Sequence, residues 1–440
     1  MSMPWYGELP SHWGSHKVSE LFIERREKVS DTDFTPLSVS KGGIVPQIAT
    51  VAKSNTGDNR KLVRKGDFAL NSRSDRRGSS GISQYDGSVS LINIVLTPRS
   101  ETSGKYWHYL LKSHNFIEEY YRNGRGIVAD LWTTRLSEMK NVYLPLPPCN
   151  EQDQIVRYLD WKVSQINKLI NAKRRQIELL GEQKRTVVNE AVTKGGENWK
   201  EISLGNLGSF RKGYGGSRAD DDSNGVACIR YGDIYRAGTL TLTQPITRIN
   251  EQTVDSYACV YKSEMLFALS GETKEEIGQS LINNIEEDTW CSGDAAIFTA
   301  NKTMLPQFLS FVLRCPDVVR QRASLAKGDI IVHISTSALR RIRIQVPPVE
   351  EQQAIAKQLD KQCASIDKIV SKLNEKISLL AEYRTRLISD VVTGKLDVRD
   401  VSVPEYEAVE DIASSVSIDD LEEMEERYGP ESNNGPNTHD

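Results

Sequence analysis

Arginine-rich segments with interspersed serine and glycine occur in two parts of the 440-residue sequence. Residues 71–81 read Asn-Ser-Arg-Ser-Asp-Arg-Arg-Gly-Ser-Ser-Gly, and residues 211–218 read Arg-Lys-Gly-Tyr-Gly-Gly-Ser-Arg. Arginine forms paired hydrogen bonds with guanine edges, while lysine and serine bind phosphate oxygens. The pattern predicts nucleic-acid binding, although each residue taken alone also fits a solvated surface loop.

The candidate binding residues carry a positive charge or an aromatic ring, and they lie in these segments or in short basic runs. They are Arg60, Lys61, Arg64, Arg73, Arg76, Arg77, Arg125, Arg211, Lys212, Tyr214, Arg218 and Lys327.

Motifs for catalysis or metal binding do not emerge from the sequence. It contains no GxxxxGK[ST] phosphate loop, and the glycines at 213–216 are interpreted as a turn or a DNA-binding loop. Asp220-Asp221-Asp222 predicts an exposed loop, because adjacent acids point in different directions. The histidines lack metal-ligand spacing, and we expect His333 to be structural. The chain is therefore predicted to be a non-catalytic binding protein without a metal or cofactor of its own.

The net charge of −4 combines segments of opposite sign. Residues 399–440 carry −11, and residues 1–398 carry +7. Within this body, residues 1–143 carry +5 and residues 196–343 carry −1. The first segment fits a DNA-facing domain by charge alone, whereas the second would have to bind through local clusters.

Length and composition indicate a cytoplasmic protein of two or three domains. No stretch of 18 apolar residues and no secretory signal pattern occurs, so we expect no contact with a membrane. The six cysteines form no CxxC pair and are interpreted as reduced thiols.

The sequence contains an internal repeat. Residues 147–193 align without a gap to residues 347–393, with 15 identities in 47 positions. Each copy begins with Pro-Pro-x-x-Glu-Gln and ends at a glycine, Gly195 or Gly394. These signals predict one long helix in each copy.

Both predicted helices carry an apolar heptad seam over more than four heptads. One such helix would also fit a larger bundle, but two matching seams favour packing of the helices on each other. Lys184 and Arg384 interrupt the seams at the same point and are expected to extend towards solvent or to mark where the pair opens. The principal seam residues are Leu159, Ile166, Ile177, Leu180, Leu359, Ile366, Leu373, Ile377 and Leu380.

The repeat extends into the segments before each helix. Gly126 corresponds to Gly328, and Trp13 with Leu21 corresponds to Trp199 with Leu207. The predicted layout is a globular domain (1–143), a helical region (144–195), a second globular domain (196–343), a second helical region (344–398) and a disordered acidic tail (399–440). The fold class is α+β with antiparallel sheet, one helix near 105–121 and 305–321, and strands at 88–96 and 340–346.

An antiparallel helix pair would relate the two globular domains by a pseudo-two-fold axis. A ligand of such a protein must offer two separated half-sites. Double-stranded DNA with a bipartite target satisfies this requirement.

The repeated (L/I)-x-(L/V)-P-P-x-x-E-Q segment, at 144–152 and 344–352, resembles the specificity subunit (HsdS) of type I restriction–modification systems. Gly7-Glu-Leu-Pro-Ser-His-Trp13 and the Lys65-Gly-Asp-Phe68 turn are similar to the target-recognition domains of that family. The resemblance covers residues 1 to about 398.

The resemblance implies that the globular domains are target-recognition domains and that an antiparallel coiled coil sets their spacing. It also implies that two methylation subunits (HsdM) and two restriction subunits (HsdR) are partners. S-adenosylmethionine, ATP and magnesium would belong to those partners. The alternative is a coiled-coil scaffold whose globular domains bind protein without recognising DNA.

Overall fold

The computed structural model describes residues 4–47, 59–99, 104–126 and 132–410. The chain divides into two compact units. Unit 1 comprises Met1–Arg175 and Leu373–Asp440, and unit 2 comprises Gln176–Lys372. Each long helix therefore contributes one half to each unit, rather than belonging to a separate helical region.

Unit 1 contains short helices, eleven strands within the described ranges and one half of each long helix. The short helices are α1 (Val18–Leu21), α2 (Gly104–Leu111), α3 (His114–Arg122) and α4 (Leu136–Met139), with a 3-10 helix at Ser74–Arg76. The strands are β1 (Gly14–Lys17), β2 (Phe22–Glu24), β3 (Lys28–Val29), β4 (Leu37–Ser40), β5 (Gly43–Pro46), β6 (Arg60–Val63), β7 (Phe68–Asn71), β8 (Ser80–Ile82), β9 (Gly87–Val89), β10 (Asn93–Pro98) and β11 (Tyr143–Leu146).

The strands of unit 1 form four small antiparallel sheets with the orders β1-β11, β2-β10-β7-β8, β3-β6-β9 and β4-β5. The four-stranded sheet packs its apolar face on α2, with Phe68, Leu96 and Trp107 in the core. Seam residues of the long helices, including Leu159 and Ile166, complete this core. The sheet and the helices are thus held by one continuous apolar cluster.

Unit 2 repeats this plan with additional strands. After the first long helix come α6 (Leu204–Leu207), α7 (Tyr231–Arg236), α8 (Pro306–Val312), α9 (Pro316–Leu325) and α10 (Thr336–Leu339), with 3-10 helices at Arg218–Asp220 and Glu251–Ser256. The strands are β12 (Lys200–Ser203), β13 (Gly208–Lys212), β14 (Asp221–Ile229), β15 (Thr241–Leu242), β16 (Thr247–Ile249), β17 (Ala258–Val260), β18 (Met265–Ala268), β19 (Ser270–Gly271), β20 (Ser280–Asn283), β21 (Thr289–Cys291), β22 (Ala295–Ala300), β23 (Val332–His333) and β24 (Arg343–Val346).

The sheets of unit 2 have the orders β12-β24, β13-β22-β18-β20-β15, β16-β14-β21-β17 and β19-β23. Two pairs, β14 with β21 and β15 with β20, are parallel, in addition to the antiparallel sheet that the sequence predicted. The expected single helix before each long helix is also divided in two. Ser113 caps α3 by accepting a hydrogen bond from Phe116 N, and Pro316 begins α9. The strand expected at 88–96 is interrupted between β9 and β10, and that expected at 340–346 is shorter.

The two long helices are α5 (Cys149–Thr193) and α11 (Val349–Val392). Gly195 and Gly394, just beyond their ends, have φ angles of +55° and +75°, as expected for glycines that end helices. Every heptad-seam position of both helices is buried or half-buried, because the apolar stripe faces the partner element. Forty-five residues correspond to a helix of roughly 68 Å.

Polar residues within the seams join the two helices. In unit 1, Arg384 Nη1 donates to Asn167 Oδ1 at 2.5 Å. In unit 2, Lys184 Nζ donates to both carboxylate oxygens of Asp367 at 2.7 Å. The two basic seam residues therefore bind a polar group of the facing helix.

The repeated Glu-Gln pair makes the same contacts in both units. Trp13 Nε1 donates to Glu151 Oε1 at 2.9 Å, and Trp199 Nε1 donates to Glu351 Oε1 at 3.0 Å. The glutamine that follows each glutamate donates to a proline carbonyl, at Pro147 and Pro347, over 2.9 Å. The motif thus anchors the start of each long helix to the first strand region of its unit.

Residues 399–410 follow a defined path along α5 in unit 1. Gln154 donates to Val398 O and Val401 O, at 2.9 and 2.7 Å. Further along the helix, Ser164 and Asn167 bond the backbone of residues 407–409. This part of the tail differs from the expected disordered chain, because polar side chains of α5 satisfy its backbone. Residues 411–440 lie outside the described ranges.

Candidate nucleic-acid interface

One edge of the four-stranded sheet carries the arginine-rich segment of unit 1. At this edge β2 and β7 end and β10 begins, at Glu24, Asn71 and Asn93. Residues 72–79 leave β7 here, form the 3-10 helix and return as β8. We call this side of the sheet the loop edge of unit 1.

An antiparallel β-bridge between Arg125 and Thr133 lies against this segment. The two residues exchange backbone hydrogen bonds of 2.9 and 3.0 Å, and Thr133 also forms a β-bridge with Arg73. Thr134 N donates to Ser72 O at 3.0 Å. The structure therefore brings Arg73 and Arg125, which are distant in sequence, to the same place. Residues 127–131 fall outside the described ranges.

Aromatic side chains support the arginines of this edge. The Arg77 guanidinium lies over the ring of Tyr121 at 4.4 Å and pairs with Glu118. Trp132 Nε1 donates to Tyr121 O at 2.9 Å. Arg73, Arg77, Tyr121 and Trp132 line one small pocket. Arginine, tyrosine and tryptophan presented together can bind phosphates and stack on bases or sugars.

Exposure differs among the arginines of the loop edge. Arg125 is 85% exposed and lies 3.9 Å from Glu138. Arg73 is exposed and pairs with Asp75 at 3.2 Å, and Arg76 is half-buried in the 3-10 helix. Arg73, Arg77 and Arg125 are therefore the candidates best placed to reach a ligand.

Arg60 and Lys61 have structural positions, which argue against their assignment as binding residues; that assignment stays a prediction. Arg60 is 8% exposed and donates to Ser88 Oγ and Ser88 O at 2.9 and 3.0 Å, and burial lowers its pKa. Lys61 donates to Asn93 O at 2.8 Å and pairs with Glu24. Their side chains satisfy internal acceptors.

Arg64 lies on the surface of unit 1, and its contacts are with residues outside the arginine-rich segment. It pairs with Asp86 at 3.0 Å and lies over Phe34 at 5.3 Å. Its partners come from the segments around β3 and β9, not from the 71–81 segment. Its assignment as a binding residue stays a prediction.

Unit 2 has a corresponding loop edge. Ile334 N donates to Leu269 O at 3.0 Å, as Thr134 does to Ser72 in unit 1. Lys327 and His333 exchange two backbone hydrogen bonds, as Arg125 and Thr133 do. His333 also pairs with Ser270 through the backbone, and its Nδ1 lies 3.0 Å from Ser270 Oγ. His333 therefore has the structural role expected of it.

Backbone contacts link the glycine-rich segment to this edge. Gly293 N donates to Gly215 O at 3.0 Å, and Leu269 N donates to Asp294 O at 2.9 Å. Tyr214 lies in this glycine-rich segment and is exposed, as are Lys212 and Arg218. The structure therefore brings Tyr214 and the Lys327–His333 hairpin to the same side of unit 2. Lys327 in the hairpin stem is exposed as well.

A buried carboxylate supports the sheet of each unit at the turn before β7 or β18. Asp67 accepts hydrogen bonds from Arg25 (2.7 Å), Arg64 N (2.8 Å) and Thr97 (2.7 Å). Such a carboxylate stabilises a tight turn, because it binds both a backbone N–H and a neighbouring arginine.

Glu264 repeats these contacts in unit 2. It accepts from Arg211, from Tyr261 N at 2.8 Å and from Thr299 Oγ1 at 2.5 Å. Arg211 also donates to Cys259 O at 2.5 Å. Arg211 is thus the counterpart of Arg25 and supports the fold, which argues against a DNA-binding role; its assignment stays a prediction.

Acidic and histidine residues form no metal cluster in the part of the chain that the structure describes. Asp220 accepts from Tyr257 at 2.8 Å, and Asp221 pairs with Arg230. In the same part, no helix has the length and apolar character needed to cross a membrane.

Sequence reasoning missed Tyr121, Trp132, Ile330 and Ile331, which all lie within or against the segments that the two bridges close. Gly126 and Gly328 marked these segments as a repeated feature. Beyond the glycines the two repeats share only their apolar character, at Val128-Ala129 and Ile330-Ile331, and no residue is identical there.

Comparison with known proteins identifies the family. Residues 10–179 and 196–379 each match the type I restriction modification DNA specificity domain. The putative type I restriction enzyme MjaX specificity subunit of Methanocaldococcus jannaschii is 21% identical, over 89% of this chain and 96% of that protein. The MjaVIII specificity subunit of the same organism is 24% identical, over 60% of this chain and 64% of that protein.

A solved structure shares the fold. It was described as the structural basis underlying complex assembly and conformational transition of the type I R-M system. The likeness has a TM-score of 0.69 at 15% identity, and covers 88% of this chain and all of the other. Since the family match occurs twice and covers most of the sequence, this chain belongs to the family of type I restriction–modification DNA specificity domains.

Proposed function

We propose that this chain is the DNA-recognition subunit of a type I restriction–modification complex. Each unit binds one half of a bipartite target in double-stranded DNA, and the long helices set the spacing between the half-sites. The chain is not an enzyme by itself, because methylation and restriction belong to other subunits.

The observation that carries this proposal is the repeated loop edge with different side chains. Both units place an antiparallel backbone pair, Arg125–Thr133 or Lys327–His333, against the end of the strand that follows the buried carboxylate. In unit 1 this edge presents Arg73, Arg77 and Trp132, whereas unit 2 presents Tyr214 and two isoleucines. One scaffold with two sets of exposed side chains suits the recognition of two different short sequences.

Two contacts between the long helices support an antiparallel coiled coil with pseudo-two-fold symmetry. Asn167 contacts Arg384, and Lys184 contacts Asp367. The later position on α5 therefore faces the earlier position on α11, as in an antiparallel pair. In such a pair, each helix runs from one recognition unit to the other, and the helix length fixes the spacing of the half-sites.

The partners follow from this assignment. Two methylation subunits (HsdM) bind equivalent surfaces of the repeat, and two restriction subunits (HsdR) complete the endonuclease. S-adenosylmethionine, ATP and magnesium bind to those partners. Since residues 196–343 carry a charge of −1, we expect the isolated chain to bind DNA weakly and the assembled complex to bind it tightly.

Charge removal at the loop edge of unit 1 tests this function. We expect Arg73→Ala and Arg77→Ala, in the complex with the methylation subunit, to weaken DNA binding. A lost phosphate contact should reduce the slope of log K against log salt by about 0.9, whereas a lost base contact should reduce discrimination between sequences. Electrophoretic mobility shifts over a salt titration, with target and scrambled duplexes, measure both.

The matched control is Arg386→Ala on α11, where the arginine is exposed and lies 3.6 Å from Asp390. It should leave affinity and salt slope unchanged. Binding of the assembled complex that neither distinguishes target from scrambled DNA nor falls with salt would refute DNA recognition. It would then favour the protein-binding scaffold.

A further inference from the structure

A short hairpin in unit 2 exposes two adjacent isoleucines. Lys327 and His333 form its stem through backbone hydrogen bonds of 2.9 and 2.7 Å. At its tip Ile330 is 90% exposed and Ile331 is 58% exposed. Single exposed apolar side chains are common on protein surfaces, but two neighbours at the end of a hairpin form a contact surface.

The backbone holds this tip in one conformation. Gly328 has a φ angle of +103°, and a Cβ atom there would overlap the backbone oxygen of Ile331. The turn therefore requires glycine. The stem is fixed further by the pairing of β23 with β19 and by the contact between His333 and Ser270. The isoleucines are thus presented by a preorganised element, which lowers the entropic cost of binding.

The surroundings of the tip carry opposite charges. Asp329 at the tip lies 3.6 Å from Lys274. Backbone hydrogen bonds along this edge place the exposed Tyr214 on the same side of unit 2. In unit 1 the corresponding Arg125–Thr133 bridge adjoins Arg73 and Arg77. The tip of unit 2 therefore presents two apolar side chains beside one pair of opposite charges.

We propose that Ile330 and Ile331 contact the C5-methyl groups of thymines in the major groove of the half-site that unit 2 binds. The inference rests on the proposed function and specifies how unit 2 recognises its bases. The thymine methyl is the apolar group that base pairs expose in the major groove, so apolar side chains there select A·T pairs. The half-site of unit 2 therefore contains thymine on one strand or the other.

Replacement of thymine by deoxyuridine tests the proposal, because it removes only the methyl group. The experiment uses the full-length chain assembled with its methylation subunits and the target defined by sequencing of methylated genomic DNA. Thymines of both half-sites are replaced one at a time, and affinity is measured by fluorescence anisotropy. At one or two positions of a single half-site we expect wild type to lose about fourfold in affinity per methyl group. Ile330→Ala or Ile331→Ala should bind both duplexes with equal affinity.

Ile246→Ala is the matched control, since Ile246 is 42% exposed and lies outside the hairpin. It should keep the wild-type sensitivity to deoxyuridine. Two results would overturn the proposal: equal sensitivity of wild type and the hairpin variants at every thymine, or weaker assembly of the variants with unchanged DNA affinity. A wild-type complex that binds no split sequence would instead refute the proposed function.

Discussion

Asp67 and Glu264 show how one residue position can serve the same purpose in two units with different side chains. Each binds a backbone N–H of its turn, a threonine hydroxyl and an arginine, either Arg25 or Arg211. The turn needs a left-handed residue just before the carboxylate. Gly66 takes this place with φ +93°, and Ser263 takes it with φ +68°. Buried acceptors, not surface charge, therefore explain why arginine occurs at position 211.

We expect Glu264→Gln to destabilise unit 2 by about 2 kcal/mol, because Arg211 and the backbone N–H of Tyr261 lose a charged acceptor. Arg211→Met should destabilise the same unit. Thermal unfolding measures both effects. Lys212→Met is the control, since this neighbouring side chain is exposed and its loss should leave the melting temperature unchanged. Reduced DNA affinity of Arg211→Met at unchanged stability would contradict the structural role.

At the scale of elements, Asn167 joins the C-terminal segment 399–410 to both long helices. Asn167 of α5 accepts from Arg384 of α11 and donates to Val409 O at 3.0 Å. Val401 and Val403 pack on the core of unit 1, while the acidic side chains of Glu405 and Glu407 are exposed. The segment is therefore an integral part of unit 1, fixed through its backbone and its valines.

Asn167→Ala should detach this segment and weaken the contact between the helices. We expect a loss of about 2 kcal/mol in stability, because Val409 O and Arg384 lose a partner in a largely buried place. Faster hydrogen exchange of residues 401–410, followed by mass spectrometry, would report the detachment. Gln165→Ala, an exposed position on the same helix, should change neither quantity. Unchanged exchange in Asn167→Ala would show that Gln154, Ser164 and the valines hold the segment without Asn167.

At the scale of the whole molecule, the length of the helices is the proposed determinant of spacing. Each long helix continues from one compact unit into the other. A continuous helix transmits a change in length rigidly, since each added residue lengthens it by about 1.5 Å. The spacing of the half-sites should therefore change with helix length and not with loop length.

An insertion of four residues after Arg175 in α5 lengthens the helix by about 6 Å. We expect the spacer of the methylated sequence to lengthen by one or two base pairs while both half-sites stay the same. Sequencing of methylated DNA from cells that carry the variant and its methylation subunit gives the answer. An equal insertion at the exposed turn of Gly238 should leave the spacer unchanged. If the α5 insertion did likewise, the helices would not set the spacing.

Sequence alone predicted the features that depend on short-range spacing. The heptads, the Pro-Pro-x-x-Glu-Gln start and the terminal glycines specified both long helices, because each signal acts within a few turns of helix. The constant offset between the two copies then implied that the two halves share one plan. The resemblance to specificity subunits rested on the repeated Pro-Pro-x-x-Glu-Gln segment together with two short motifs of the first globular domain.

Only the tertiary structure decided which candidate residues can reach a ligand. Charge placed Arg60, Arg73 and Arg211 in one class, yet Arg60 and Arg211 satisfy internal acceptors from strands far away in sequence. Likewise, Thr133 joins Arg73 to Arg125, and Val409 binds Asn167 across 242 residues. The cost of leaving a buried acceptor unpaired determines these contacts, and it depends on which distant segments the fold brings together.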